Sequence, residues 1–247
     1  MDRMIYTALT AMDTAMDRQR TVANNLANAS TPGFRAEEFA ATAATLKGDR
    51  LETRAFARGA VHGADMREGR VVPTGQPLDL AVKGDALIAL QGLDGGEVYS
   101  RRGDLKVGPG GVLENGDGLP VMGEAGPITV PPGRTLSIAG DGAIFAADPA
   151  APNAEPEEIA RIKLASPQGS RIAKDLDGFL RVVGGGALPG DPTAQVTSGA
   201  LEQSNVDSAG TLVAMIEAQR SFEQRAKLMS TAQELDQSGA RLMSLRS

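Results

Sequence analysis

The sequence predicts an α+β protein in which amphipathic helices at the two chain ends form a coiled-coil-like layer and a central irregular all-β domain lies between them. Three observations predict it. Near the N-terminus Ile5, Leu9, Met12, Met16, Ala23 and Leu26, with Gln19 in register, step alternately by four and three, the spacing of a seam that packs on other helices. Near the C-terminus Leu212, Met215, Gln219, Phe222, Ala226 and Met229 step the same way, and Ala232, Leu235 and Leu242 continue after a phase slip. Between these ends, short apolar runs separated by Gly and Pro turns recur at the spacing of an irregular sandwich or barrel.

The first helix is expected from residue 3 to about 28, roughly 40 Å at about 1.5 Å per residue. Its end is written in Asn28, Ser30 and Thr31, which bond local backbone rather than continue a helix. Pro32 then pushes Thr31 out of the helical region, and Gly33 takes a turn conformation closed to other residues. Residues 36–72 read as an extended, partly β surface segment, with a flexible linker as the alternative. Its start, Ala36 to Leu46, is Ala-rich and compatible with a helix, and Gly48, Gly59, Gly63 and Gly69 punctuate the rest.

From Val71 the pattern is β. Leu78 to Val82 alternates, Ala86 to Leu90 is a continuous apolar run, and Val98 to Arg101, Leu105 to Val107, Val112-Leu113, Leu119 to Met122 and Ile128 to Val130 follow. Leu136 to Ile138 and Ala143 to Phe145 flank Gly140-Asp141-Gly142, a hairpin signal. Asp148 to Pro156 is an exposed loop, and Ile159 to Ala165 and Phe179 to Val183 are further strands. Asp207 or Ser204 caps the last helix. The divisions are 1–35, 36–72, 73–200 and 201–247.

Composition excludes several functions. The chain of 247 residues can bury a sizeable core, and its net charge of −6 without any Lys/Arg-rich run argues against nucleic acid. Cysteine is absent, so no disulfide or thiolate metal site exists. No stretch reaches the roughly 20 apolar residues of a membrane span. Asp2, Thr7, Asp13 and Asp17 interrupt any secretory signal, which on its own points to an intracellular protein. His62 is the single histidine and reads as a surface residue beside Gly63. Asp141 lacks companions at calcium-ligand spacing, the Gly108-Pro109-Gly110-Gly111 and Gly184-Gly185-Gly186 runs read as turns, and Glu157-Glu158 reads as a solvated pair. No catalytic, cofactor-binding or metal-binding residue is expected, and no cofactor.

Three blocks of wording carry a resemblance. They are Asn24-Asn25-Leu26-Ala27-Asn28 with Thr31, Gly33 and Phe34; Gly75 to Asp85 with Tyr99-Ser100-Arg101 and Asp117 to Gly123; and Ser198 to Asp207. Together they resemble the flagellar rod and hook family of bacterial axial proteins, with an opening Met1 to Tyr6 closer to its proximal-rod branch than to its distal-rod branch. Ala86-Leu87-Ile88 departs from the pattern, since related proteins usually carry aromatic residues there. The resemblance implies a non-enzymatic structural subunit, exported without a cleaved signal through the flagellar export apparatus. That reverses the intracellular reading. Its partners would be copies of itself and other rod proteins, stacked around the export channel in the periplasmic part of the basal body, with no nucleic acid and no membrane insertion.

The expected subunit-interface residues are Ile5, Leu9, Met12, Met16, Asn24, Asn25, Leu26, Asn28, Leu212, Met215, Phe222, Met229 and Leu235. The amides of Asn24, Asn25 and Asn28 have local capping and turn bonds as their alternative. A distal-rod protein is the rival within the family. The rival from another class is a secreted binding or cap module whose β domain recognises a ligand.

Overall fold

The computed structural model describes residues 2–45, 55–151, 154–175 and 177–244. They form two compact units, one from residues 1–27, 37–62 and 207–247, the other from 28–36 and 63–206.

The first unit pairs two helices, α1 (Asp2–Ala27) and α2 (Ser208–Ser244), with a two-stranded sheet of β1 (Glu37–Thr45) and β2 (Ala55–Ala64). The Ala-rich stretch after residue 36, compatible with a helix by composition, is therefore extended. Gly59 on β2 explains how it docks: a side chain there would meet the Phe39 ring of β1 at 2.7 Å and Thr14 of α1 at 3.1 Å. The buried face of α1 is made of small residues, Thr14, Ala15 and Thr21. Thr14 and Thr21 satisfy their hydroxyls on the carbonyls of Thr10 and Asp17 one turn back, at 2.8 and 3.0 Å.

On α2 the covered positions include Met215, Ala218, Phe222, Arg225, Met229 and Ala232, which alternate three and four, with Ala218 buried. Arg225 donates to the carbonyl of Ala11 on α1. The helix starts where expected: Asp207 accepts from Ala209 N at 3.1 Å and Gly210 N at 3.2 Å, a side-chain cap on otherwise unpaired amides.

The second unit is β throughout. Its largest sheet has five antiparallel strands in the order Leu164–Ala165, Leu87–Gln91, Glu97–Ser100, Leu180–Val182, Ile172–Lys174. A second sheet orders Thr135–Ile138, Ala143–Ala147 and Glu157–Arg161, and its first hairpin turns at Gly140 to Gly142 as the glycines indicate. The run Leu87 to Leu90 is buried on both faces, which is why it reads as continuous rather than alternating. Ile88 and Leu90 enter the main core with Leu80, Val98, Leu113, Val121 and Ile144, while Leu87 and Ala89 join Tyr99, Leu180 and Leu188 on the other side.

The unit closes by pairing its last strands with its first. Val196–Ser198 lies against Leu80–Val82, and Ala200–Glu202 against Val71–Pro73. The predicted single strand Ile159 to Ala165 divides: Ile162 bridges to Gly123, and the segments on either side join different sheets. Strand Ile172–Lys174 is half-buried at an edge and has no apolar alternation to betray it.

Two carboxyls paired with arginines set an acid limit on this unit. Hydrogen bonding from Arg67 holds Asp65 below the ordinary carboxylate range, and Arg181 does the same for Asp177. Since both folded values lie below the unfolded one, their contribution is complete above an unfolded pKa of about 3.9 and is lost as pH falls through the folded values. The thermal midpoint of the β unit should therefore hold between about pH 7 and 5 and fall below about pH 4. A midpoint that rises on acidification through that lower window contradicts this assignment.

Candidate assembly site

Each helix of the first unit keeps an apolar stripe that its own chain leaves uncovered. On α1 Leu9 and Met16, two turns apart, are exposed; on α2 Leu212, Val213 and Ile216 are more than half exposed, as is Leu228 further along. The exposed apolar positions on α1 span about two turns, and those at the start of α2 about one.

The sequence-predicted residues divide around this pattern. Leu9, Met16 and Leu212 lie on the open face. Met12, Leu26, Met215, Phe222 and Met229 are partly covered within the chain. Ile5 and Leu235 lie outside the residues whose side chains are described, as does His62. Val213 and Ile216 were missed, although an apolar stripe broader than a strict seam was visible in the sequence.

The asparagines have partners in their own chain. Asn25 makes a two-way amide clamp on the backbone of Glu37, donating to its carbonyl at 3.0 Å and accepting from its N–H at 2.8 Å. Asn24 donates to the Glu37 carboxylate at 2.6 Å. Asn28 builds the turn after α1, its carbonyl accepting from Thr31 N at 3.1 Å and its amide oxygen from the Thr31 hydroxyl at 3.2 Å.

Inside the β unit a second constellation, unsuspected from sequence, gathers charged residues away from water. Glu202 at the end of the last strand is 1% exposed, and Arg101 and Arg35 are 2% and 4% exposed. Glu202 Oε1 is ion-paired with Arg35 Nη1 at 2.7 Å and accepts from Gly69 N at 2.7 Å. Its other oxygen faces Arg101 Nε at 2.9 Å, close enough for Coulombic attraction but outside hydrogen-bonding geometry. Arg101 also donates to the Ala86 carbonyl at 2.6 Å, and Arg35 to that of Arg67. Burial pushes the Arg35 guanidinium below its ordinary value; Glu202 opposes this and Arg101 adds to it.

The turn that carries Arg35 is fixed by further ties. Gly33 N donates to the Glu202 carbonyl at 2.7 Å. Lys174 donates to the Arg35 carbonyl at 3.0 Å while its ammonium sits 3.6 Å over the Phe34 ring. Asn205 accepts from Ala36 N at 2.7 Å and donates to the carbonyls of Asp65 and Arg67 at 2.8 and 2.9 Å. Only glycine fits at position 33: its φ is +68°, and a Cβ would stand 2.3 Å from the Arg101 carbonyl carbon.

Reactive chemistry has little to build on. Tyr99 is pushed up to about 12, chiefly by burial, so it stays protonated at neutral pH, donating to Glu97 at 2.7 Å and accepting from Leu188 N at 2.6 Å. Lys163 is held by the same carboxylate at 2.6 Å, and Arg161 by Asp141 at 2.6 Å. Among the described residues no group of three or more His, Asp or Glu is placed to hold a metal ion, and no helix is long and apolar enough to cross a membrane.

Uncovered helix faces drawn from both chain ends are what a structural subunit of an assembly presents. The comparisons name the assembly. Residues 5–35 match the flagella basal body rod protein family, and residues 197–242 match the C-terminal family of flagellar basal body rod FlgEFG proteins. The first stretch ends on Arg35 and the second contains Glu202. The chain is 39% identical to the flagellar basal-body rod protein FlgF of Salmonella typhimurium, over 99% of this chain and 100% of that one. It is 41% identical to FlgF of Escherichia coli over 94% of each, and 27% identical to FlgG of Bacillus subtilis over 94% of this chain and 96% of that one. The chain belongs to the flagellar basal-body rod protein family and is a structural subunit of that rod, most like FlgF.

Two substitutions probe the buried constellation. Glu202→Gln leaves two buried guanidinium groups uncompensated and should cost about 3–5 kcal/mol. Gly33→Ala should cost at least ~1–2 kcal/mol from its left-handed backbone alone. Denaturant unfolding followed by near-ultraviolet circular dichroism measures both, and a wild-type midpoint in either variant refutes the account of that residue.

Proposed function

We propose that this chain is a proximal-rod subunit that assembles through the open faces of α1 and α2, packing against copies of itself and other rod proteins as a coiled-coil-like tube around the export channel. The observation that carries the proposal is the exposure of Leu9, Met16, Leu212, Val213 and Ile216 on two helices that already share their other faces. In water such strips are unfavourable, and burying them between subunits is the main driving force available to association.

Charge supports the same division of labour. Acidic and basic residues balance one for one in the helix unit, so the whole net charge of −6 belongs to the β unit. Neutral helices pack side by side without net repulsion, while a negative β unit suits a solvated outer wall. A head-to-tail contact whose rotation does not close into a ring extends such packing into a filament. The chain reaches its place in the periplasmic rod through the flagellar export apparatus, without a cleaved signal. Its work is mechanical, and it turns over no substrate.

Leu9→Asp and Ile216→Asp test this directly, because both side chains are already exposed and neither change should disturb the isolated subunit. Each variant should keep the wild-type circular dichroism spectrum and thermal midpoint, yet be absent from basal bodies isolated from cells that express it as the only copy. Normal incorporation of both variants rules out these faces as the interface.

A further inference from the structure

We propose that Arg35, Arg101, Glu202 and Asn205 are positioning residues for assembly: their buried clasp fixes the spacing at which the chain enters and leaves the β unit. This rests on the rod-subunit reading above and concerns how the subunit is set for it.

The argument starts from what the clasp costs. Two buried cations share one buried carboxylate, and the next negative charge, the largely exposed Glu68, stands 3.8 Å from Arg101. Arg35 Nε, Arg101 Nε and Glu202 Oε2 make no hydrogen bond among the described residues. Desolvating such a cluster offsets most of its Coulombic gain, and apolar side chains of similar size commonly hold a core together at least as well. Adhesion alone is therefore a poor reason for these residues.

Their hydrogen bonds suggest a better one. They run to backbone atoms, and apart from the Arg101 bond to the Ala86 carbonyl those atoms belong to the passages where the chain crosses out of the β unit. The chain leaves after Ala36, returns at Gly63 and leaves again after Val206. The first passage is tied through Gly33 N, Arg35 and Ala36 N, and the second through the carbonyls of Asp65 and Arg67 and the N–H of Gly69. The third supplies Glu202 and Asn205, and Asn205 N also donates to the Phe34 carbonyl at 3.3 Å. A planar guanidinium and an amide are directional, so they hold these backbones to one another far more narrowly than apolar packing does. Gly69 allows the closest approach: a Cβ there would stand 1.9 Å from the Gln203 carbonyl oxygen. In a repeating assembly a small error in these exits is repeated at every subunit.

Arg35→Lys separates positioning from stability. Both contacts of Arg35, to Glu202 and to the Arg67 carbonyl, are made by the one nitrogen Nη1, whose direction the planar guanidinium fixes; the ammonium keeps the charge on a flexible stem without that fixed plane. Its comparison is Leu113→Ala, a core truncation outside the clasp, or a milder Leu113 variant chosen to lower the thermal midpoint equally. Both full-length proteins are expressed as the only copy at a temperature well below their midpoints, and their amount in isolated basal bodies is measured against the other rod proteins. Positioning predicts about tenfold less Arg35→Lys than the matched core variant, equivalent to ~1.4 kcal/mol in subunit affinity. Equal incorporation of the two overturns the proposal. If Arg35→Lys does not fold, the uncharged tie Asn205→Ala takes its place, with the same two outcomes. Absence of the wild-type chain itself from basal bodies would instead overturn the rod-subunit reading.

Discussion

The charged side chains at the junctions of the β unit gather around one buried carboxylate. Glu202 lies at the end of the strand that closes the unit, and its two oxygens face an arginine from the turn after α1 and another from the end of strand Glu97–Ser100. Remove its charge and Arg35 and Arg101 repel each other in a medium that screens poorly. The loop at Gly69 then loses its carboxylate acceptor, and Arg35, on the turn after α1, its counter-charge.

Strand pairing places that carboxylate. The unit ends where it begins, with Val196–Ser198 on Leu80–Val82 and Ala200–Glu202 on Val71–Pro73, and the apolar interior of Leu80, Ile88, Val98 and Val121 holds this closure. Period-two alternation over Ala200 to Glu202 buries Ala200 and Glu202 and turns Leu201 partly outward, so a charged side chain is carried inside by register. The arginines meet it there. Packing creates the cavity, the cavity makes charge pairing obligatory, and pairing sets the backbone at the junctions.

The helices and the β character of the centre were legible in the sequence because they rest on period and punctuation. Asp207 as the cap, the hairpin at Gly140 to Gly142 and the doubly buried run at Leu87 to Leu90 all follow from local chemistry. The orientation of the helices within their unit was less legible. A hydrophobic period finds large residues, whereas the buried apolar positions described on α1 and α2 are the small Ala15 and Ala218, and the helices are joined by the reach of Arg225 to the Ala11 carbonyl. Much of the seam read from Leu9, Met16 and Leu212 thus stands on the open face. The clasp was not legible at all. Single arginines and a glutamate far apart in sequence read as solvated surface, and only the closing strand pairs bring them together.

The central claim is that junctions are set in the free subunit while the helix faces await their neighbours. Hydrogen exchange on the monomer, compared with the same chain in isolated basal bodies, tests it most directly. The account predicts slow exchange at Gly33, Ala36 and Gly69 in both states, with α1 and α2 exchanging quickly in the monomer and slowly once assembled. Helices fully protected in the monomer and unchanged by assembly, or junction amides that exchange freely before it, would contradict the account.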